Sequence, residues 1–254
     1  MLNIKIIPCL NDNYSYVIQD KKTNLVGVID PSAFEPIDSF LSKKYEKLDF
    51  ILNTHHHVDH IGGNEELKNK YNAKIVGSEK DKDRVPGLDV LLKDQDHFIF
   101  GNVKFNIIFV PGHTRGHIAF HSEKDKVVFT GDTLFSLGCG RIFEGTSKQM
   151  FQSLMKIKKL SKETKIYCGH EYTLNNLKFC LEHEKENIDL KKKQGWILER
   201  LNSNLPTIPS TLEEEIKTNI FLRCDNIDLK KHLKMIDASE ELVFEKLRNL
   251  KDNF

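Results

Sequence analysis

Four histidines and one aspartate fall within six residues of the segment NTHHHVDHIGG, residues 53–63. Histidine is the commonest metal ligand near neutral pH, and aspartate binds the same transition metals. The run is internal and is interrupted by Val58 and Asp59, so it does not have the form of an expression tag. The apolar tripeptide FIL precedes it and Gly62 and Gly63 close it, which is typical of a strand followed by a turn. The segment therefore predicts a metal site.

Three further ligand-type residues also follow apolar strands directly. The sequence FNIIFVPGHTRGH places His113 after one strand, KVVFTGDTLF places Asp132 after another, and TKIYCGHEY places His170 after a third. A single histidine or aspartate in a turn is most often a satisfied polar residue. Ligand sites in layered α/β proteins gather at strand ends, so four such turns in this order are expected to meet at one rim.

The candidate donors are His55, His57, Asp59, His60, His113, Asp132 and His170. A catalytic zinc ion usually takes three protein ligands and keeps one open position. Seven donors are too many for one such ion and fit two metals that share a bridging carboxylate.

Composition limits the classes of partner. The chain has 254 residues, of which 39% are hydrophobic and 30% charged, as in an ordinary globular protein. Its formal net charge of +1 gives no field that would recruit nucleic acid or an anionic membrane. Five cysteines, an odd number without a CxxC pair, favour a reducing compartment. With no signal peptide and no membrane span in the sequence, we expect a cytoplasmic monomer.

The secondary-structure pattern changes after about Tyr172. Before it, short apolar runs bounded by turn residues predict strands at NIKII, YSYVI, LVGVI, FIL, KIVG, VKFNIIFV, HIAF, KVVF and KIYC. After it, helical spacing predominates. Capping boxes are predicted at Thr146 with Gln149 and at Ser210 with Glu213. We therefore expect a metal-binding α/β domain at residues 1–172 and a helical domain at residues 173–254.

These motifs resemble those of a known family. THHHVDH resembles the THxHxDH motif of the metallo-β-lactamase superfamily, whose fold is an αββα sandwich. PGHTRGH, FTGDTLFSLGCGR, YCGHEYTLNNLKF and the closing RNLKDNF are similar to the hydroxyacylglutathione hydrolase (glyoxalase II) family over essentially the whole chain. The resemblance implies an α/β sandwich of this type followed by a C-terminal helical domain that binds glutathione.

The resemblance also implies an assignment of the metal ligands. It gives two groups of three and one shared carboxylate: His55, His57 and His113; Asp59, His60 and His170; and the bridging Asp132. Two divalent ions per chain are expected, with zinc as the first choice, although iron and manganese suit the same donors. Asp30, in the turn VIDPS, is expected to orient a ligand histidine. His56 should point elsewhere, and His117 should be structural.

Five residues are implied as glutathione contacts: Arg141, Phe143, Tyr172, Arg248 and Lys251. Glutathione carries two carboxylates and one amine, so its site needs fixed cations and hydrogen-bond donors. Phe143 departs from the family, which commonly has a tyrosine at that position. The lost hydroxyl is expected to weaken binding by about 1 kcal/mol without abolishing activity.

The implied reaction is hydrolysis of S-(2-hydroxyacyl)glutathione, typically S-D-lactoylglutathione, to glutathione and D-lactate. A metal-bridging hydroxide would be the nucleophile and Asp59 would orient or deprotonate it, in the second step of methylglyoxal detoxification. The main alternative within the superfamily is a glutathione persulfide dioxygenase with a single iron, which should lack the long helical tail. A non-catalytic glutathione- or metal-binding protein is the alternative from another class.

Overall fold

The computed structural model describes residues 1–254, and the chain divides into two compact units. The first unit comprises Met1–Phe109 and Arg115–Gly131, and the second comprises Val110–Thr114 and Asp132–Phe254. No helix combines the length and the apolar composition that a membrane span requires.

A six-stranded sheet forms one layer of the first unit. Its strands, in spatial order, are β1 (Leu2–Cys9), β2 (Asn13–Asp20), β3 (Val26–Ile29), β4 (Phe50–Leu52), β5 (Lys74–Ser78) and β6 (Leu88–Leu92). The first three strands pair antiparallel, and β3 to β6 run parallel. Parallel strands end at the same edge of a sheet, so the turns that follow β3 and β4 lie side by side.

Three helices belong to this unit: α1 (Phe34–Lys44), α2 (Val58–Ile61) and α3 (Asn64–Tyr71). Ile37 and Leu41 of α1 and Leu67 of α3 are buried in one apolar cluster with Val28 and Ile51 of the sheet. Their spacing puts the apolar side chains on one face of each helix, and that face covers the sheet.

Four antiparallel strands form the second layer of this unit, in the order β10 (Val127–Gly131), β9 (Ile118–Ser122), β8 (Val103–Phe109) and β7 (His97–Phe100). Aromatic rings join the two layers. The ring centroids of Tyr16 and Phe129 lie 5.4 Å apart, and those of Phe50 and Phe98 lie 5.3 Å apart. Phe105 packs edge-on against Phe129 at 6.3 Å, so it lies at the centre of this sandwich core.

The second unit is mainly helical. Its helices are α4 (Ser147–Lys158), α5 (Thr173–His183), α6 (Ile188–Asn202), α7 (Leu212–Thr218), α8 (Ile227–His232) and α9 (Glu240–Asp252). Two short antiparallel strand pairs accompany them: β11 (Leu134–Phe135) with β12 (Gly138–Cys139), and β13 (Lys165–Cys168) with β14 (Ser210–Thr211). Phe244 of α9 packs against Phe151 of α4 at 5.8 Å and Phe221 at 5.9 Å, which anchors the last helix.

The sheets with helices, followed by a helical C-terminal region, confirm the predicted fold class. Strands β6, β7, β11, β12 and β14 are additional to those predicted. The capping box of Thr146 and Gln149 is confirmed at the start of α4. The second predicted capping box is wrong by one residue, since it is formed by Thr211 and Glu214. Ser210 pairs with Ile166 in the β13–β14 ladder, so the helix begins one residue later.

Replacing Phe105 with alanine should destabilise the sandwich. Phe105 is fully buried, so the substitution leaves a cavity and should lower the free energy of unfolding by about 3–5 kcal/mol. Urea denaturation followed by circular dichroism measures this difference. Ile99→Ala on the neighbouring strand is the control, because Ile99 is 59% exposed and its loss should cost only about 0.5 kcal/mol. Equal losses in the two variants would contradict this placement of the core.

Candidate metal centre and anion site

Asp30 holds the histidine segment of the first unit. It follows β3 in a left-handed conformation with φ +48°, which aspartate tolerates better than most residues. Its carboxylate accepts hydrogen bonds from the Thr54 backbone N–H at 2.7 Å and from the Thr54 hydroxyl at 2.6 Å. His60 Nδ1 lies 3.0 Å from the same carboxylate. A proton on Nδ1 leaves Nε2 of His60 as the ligand atom, as expected for a carboxylate that orients a ligand histidine.

The tautomer of His55 follows from the same network. The single proton of the Thr54 hydroxyl is donated to Asp30, so its oxygen accepts from Nδ1–H of His55 at 3.0 Å. The lone pair of His55 is then on Nε2, which lies 3.1 Å from Nδ1 of His57. His55 is buried and His57 is partly exposed, so the pair lies at the edge of the fold.

Asp59 lies in the first turn of α2, three residues before the Gly62 at its end. Its Oδ2 accepts a hydrogen bond from Nδ2 of Asn13 at 3.0 Å, and Nε2 of His60 lies 3.7 Å from the same oxygen. Asn13 is buried at the start of β2 and also donates to the Asp59 backbone carbonyl. The carboxylate is therefore held in one direction even though its side chain is 41% exposed.

Two other histidines of this unit, His56 and His117, are placed as predicted. His56 points toward Arg84, whose Nη1 lies 3.3 Å from Nε2 of the imidazole. His117 is fully buried, and its ring stacks on that of His55 with centroids 4.6 Å apart and planes 16° apart. Stacking fixes the plane of His55, so His117 has a structural role.

In the second unit, Asp132 lies between two histidines. Its Oδ2 is 3.4 Å from Nε2 of His113 and 3.3 Å from Nε2 of His170. Nδ1 of His113 donates to the backbone carbonyl of Arg141 at 2.8 Å, which leaves Nε2 as its ligand atom. All three ligand-type side chains are buried. One carboxylate oxygen therefore lies close to the ligand atoms of two imidazoles.

These separations fit a transition metal. Zinc binds imidazole nitrogen at ~2.0–2.1 Å, so two neighbouring ligands of one tetrahedral ion lie about 3.4 Å apart. The His55–His57 pair and both Asp132 contacts come close to this separation. The donor set of imidazole and carboxylate suits zinc, iron and manganese alike. The residues present therefore fit bound metal ions.

Two aromatic rings cover the histidines of the second unit. Tyr172 stacks on His170 with centroids 4.6 Å apart and planes 3° apart. Phe143 is 62% exposed, and its ring centroid lies 5.2 Å from that of His113. Both rings therefore lie next to ligand-type residues and remain in reach of a substrate.

Two arginines of the second unit approach one aspartate, and a lysine lies near both arginines. Arg248 is buried and donates to the Cys139 carbonyl at 2.9 Å and to Asp252 at 2.8 Å. Nε of Arg141, whose side chain is 65% exposed, lies 3.9 Å from the same Asp252 carboxylate. Burial, and then the neighbouring Arg248 guanidinium, lower the pKa of Lys251 to about 8. Two arginines at this carboxylate and a lysine near them give an excess of positive charge that suits an anion.

The cysteines do not offer a thiolate nucleophile. All five are buried, and none forms a disulfide. Burial raises the pKa of Cys139 to about 11 and those of Cys168 and Cys180 to about 12. A neutral thiol is a poor nucleophile, so these residues have a packing role.

Several supporting residues escape the sequence patterns. Asn13, Asn175 and Asp252 each hold a candidate site residue: Asn13 binds Asp59, Asn175 binds Lys251 and Asp252 binds Arg248. None belongs to a metal-ligand motif, and each contact except the last joins residues far apart in sequence. Only Asp252, four residues after Arg248, could have been found from helical spacing.

Comparison with known proteins agrees with this geometry. Residues 10–170 match the model of the metallo-β-lactamase superfamily, and residues 171–254 match that of the hydroxyacylglutathione hydrolase C-terminus. The fold and the clustered histidines and aspartates thus define a metallo-β-lactamase superfamily protein. The chain belongs to the hydroxyacylglutathione hydrolase family.

The relatives cover the whole chain. The hydroxyacylglutathione hydrolase of Pelagibacter ubique is 54% identical over 253 residues and covers 100% of both chains. That of Brucella ovis is 44% identical and covers 100% of this chain and 98% of its own. Among solved structures, ETHE1 from Myxococcus xanthus superposes with a TM-score of 0.69 at 24% identity, over 98% of this chain and 91% of that one. The last likeness shows the fold alone.

Asp30→Asn should weaken metal binding. Asparagine presents one acceptor oxygen and an NH2 group, so it cannot accept all three hydrogen bonds that Asp30 receives from Thr54 and His60. We expect metal affinity to fall about 10–100-fold, measured by competition with a chromophoric chelator. Asp228→Asn is the control, because that side chain is 88% exposed on α8. Unchanged affinity in a folded Asp30→Asn protein would contradict the orienting role.

Proposed function

We propose that this protein is a metal-dependent thioesterase that hydrolyses S-(2-hydroxyacyl)glutathione, typically S-D-lactoylglutathione, to glutathione and a 2-hydroxy acid such as D-lactate. The observation that carries this proposal is the arrangement of side chains in the second unit. It combines a carboxylate shared by two histidines with a cluster of cations suited to the carboxylates of glutathione. The names of the relatives at 54% and 44% identity point to the same substrate class.

The proposed ligand set follows the family pattern. His55, His57 and His113 would hold one divalent ion, Asp59, His60 and His170 a second, and Asp132 would bridge them. Zinc is the expected ion, and iron and manganese share the same donors. When bound, such ions supply a water of lowered pKa and polarise the carbonyl of the substrate.

The side chains around the ligands have separate tasks. Asp59 is held by Asn13 through Oδ2, and its carboxylate is proposed to orient the attacking water or to accept its proton. Asp30 keeps His60 in one tautomer, and the Arg141 carbonyl does the same for His113. Glutathione thiolate leaves without a strong general acid, since an ordinary thiol has a pKa of ~8.5.

Substrate recognition is assigned to the cations and rings of the second unit. The exposed Arg141 and the half-buried Lys251 are proposed to bind carboxylates of glutathione directly. Arg248 is buried and donates to the Cys139 carbonyl and to Asp252. It is therefore proposed to contribute to glutathione binding partly by holding these two groups in place. Tyr172 offers a hydroxyl beside His170, whereas Phe143 offers a ring without one.

The proposed domain boundary is the one expected from the sequence, with Arg141, Phe143 and Tyr172 of the first domain also contributing to substrate recognition. Residues 1–172 are proposed as the metal-binding domain and residues 173–254 as the glutathione-binding domain. We propose a monomer that acts in the cytoplasm, without nucleic-acid or membrane partners, in keeping with a net charge of +1.

The direct test is the rate of S-D-lactoylglutathione hydrolysis by the purified protein. It is measured before and after chelation, with the metal content of the same sample. Chelator-sensitive turnover with close to two metals per chain supports the enzyme and the site together. A folded, metal-replete protein without turnover would overturn the substrate, and oxygen uptake with glutathione persulfide would then test the dioxygenase alternative.

Asp132→Ala should abolish hydrolysis. The substitution removes the carboxylate between His113 and His170, and losing several kcal/mol of metal-supplied stabilisation should lower kcat/KM at least about 1000-fold. Glu123→Ala, on an exposed turn of the first unit, is the control and should keep full activity. Near-normal turnover of a folded Asp132→Ala protein would refute the two-metal assignment.

Lys251 should make substrate capture depend on pH. Only its protonated form attracts a carboxylate, and its pKa of about 8 means that the charge is present below that pH and lost above it. We therefore expect kcat/KM to fall as pH rises through about 8, and Lys251→Ala to raise KM about 10–100-fold at pH 7. Lys251→Arg stays charged and should remove the fall at high pH. Identical pH profiles for Lys251→Arg and the unmodified protein would exclude this role.

A further inference from the structure

A buried ion pair lies in the helical region, apart from the ligand residues. Nζ of Lys193 on α6 lies 2.7 Å from Oε1 of Glu215 on α7. Lys193 is 8% exposed and Glu215 is fully buried. Taking two charges out of water is costly, and apolar side chains of similar volume are often as stable. The pair therefore needs an explanation beyond its own contribution to stability.

The other contacts of Glu215 explain why the buried ion pair is present. Its carboxylate accepts from the backbone N–H of Leu137 at 2.7 Å and from the hydroxyl of Ser136 at 3.3 Å. Both residues form the two-residue turn between β11 and β12. Leu137 has φ +59°, a left-handed conformation that a bulky side chain adopts only under strong constraint. The carboxylate holds the turn at its strained residue.

Two buried asparagines hold the rest of this turn. Nδ2 of Asn219 donates to the carbonyls of Phe135 at 3.2 Å and Gly138 at 3.0 Å, and it also lies 3.1 Å from the Glu215 carboxylate. Nδ2 of Asn176 donates to the Ser136 carbonyl at 3.0 Å. The backbone of the turn is thus bound on several sides by side chains that are distant in sequence.

The hairpin connects the proposed catalytic and recognition groups. Asp132 lies two residues before β11, and Arg141 lies two residues after β12. Thr133 and Gly140 bond to each other across the base at 3.2 Å. The carbonyl of Cys139 in β12 accepts from Arg248 at 2.9 Å, so the hairpin also contacts α9.

We propose that Glu215, neutralised by Lys193, is a positioning residue that fixes the β11–β12 hairpin and thereby the placement of Asp132 and Arg141. Its effect on catalysis rests on the thioesterase function proposed above. Its effect on the hairpin does not, and can be measured without substrate.

The test separates the hydrogen-bond acceptor from the charge. Lys193→Met/Glu215→Met replaces the pair with apolar side chains of similar length, so no buried charge is left unpaired but the turn loses its acceptor. Lys193→Met/Glu215→Gln also removes both charges but keeps a carbonyl oxygen that can accept from Leu137. Glu213→Gln/Lys217→Met neutralises an exposed ion pair of 2.7 Å on the same helix and is the matched control.

Two readouts are compared on holoenzyme: amide hydrogen exchange of the peptide covering residues 134–141, and kcat and KM for S-D-lactoylglutathione. In Lys193→Met/Glu215→Met we expect amide exchange to be at least tenfold faster in that peptide and unchanged in β1 to β5. We also expect kcat/KM to be at least tenfold lower, with part of that loss in kcat. The glutamine variant should recover most of both losses, and the control pair should match the unmodified protein.

If the methionine variant shows the same exchange at residues 134–141 and the same kinetics as the unmodified protein, the proposal is overturned. Equal losses in the methionine and glutamine variants would also overturn it, since the acceptor would then be irrelevant. Should the methionine variant not fold, Lys193→Met/Glu215→Leu repeats the test. If the unmodified protein does not hydrolyse the thioester, the proposed function fails, while hydrogen exchange alone still decides the role of Glu215 in the hairpin.

Discussion

An imidazole binds a metal well only when its other nitrogen is held by a hydrogen bond that fixes its tautomer and direction. The candidate metal centre is organised around this constraint. The carboxylate of Asp30 faces Nδ1 of His60 directly and controls Nδ1 of His55 through the hydroxyl of Thr54. In the second unit a backbone carbonyl does the same for His113. Each of these three histidines then presents Nε2 as its ligand atom.

The sheet of the first unit determines where this carboxylate lies. β3 and β4 run parallel, and the backbone N–H of Asp30 donates to the carbonyl of Leu52 at 2.9 Å. This bond continues the ladder by one residue beyond the strand. It brings Asp30 beside Thr54, so the register of two parallel strands decides which residues the carboxylate can reach. A shift of one residue would leave a buried charge without its donors, a costly arrangement.

The predictable parts of the structure are those with local signals. Apolar runs bounded by turn residues predicted nine of the strands, and ligand-type residues directly after them indicated the candidate donors. The supporting contacts had no such signal. Asn13 and Asp59 are 46 residues apart, and Glu215 and Leu137 are 78 apart, so only the folded chain shows that they meet. The shifted capping box has a similar cause, since a strand pairing removed Ser210 from the helix.

The second unit carries both a proposed metal ligand and a proposed substrate-binding cation on one rigid framework. The shared carboxylate of Asp132 precedes the β11–β12 hairpin, and the exposed cation of Arg141 follows it. A flexible connection would let a bound glutathione move relative to the carboxylate, and small displacements from a reactive geometry cost rate steeply. A buried carboxylate, two buried asparagines and a strained leucine make this connection stiff. That stiffness offers a physical reason to retain a buried ion pair that apolar side chains could replace without loss of stability.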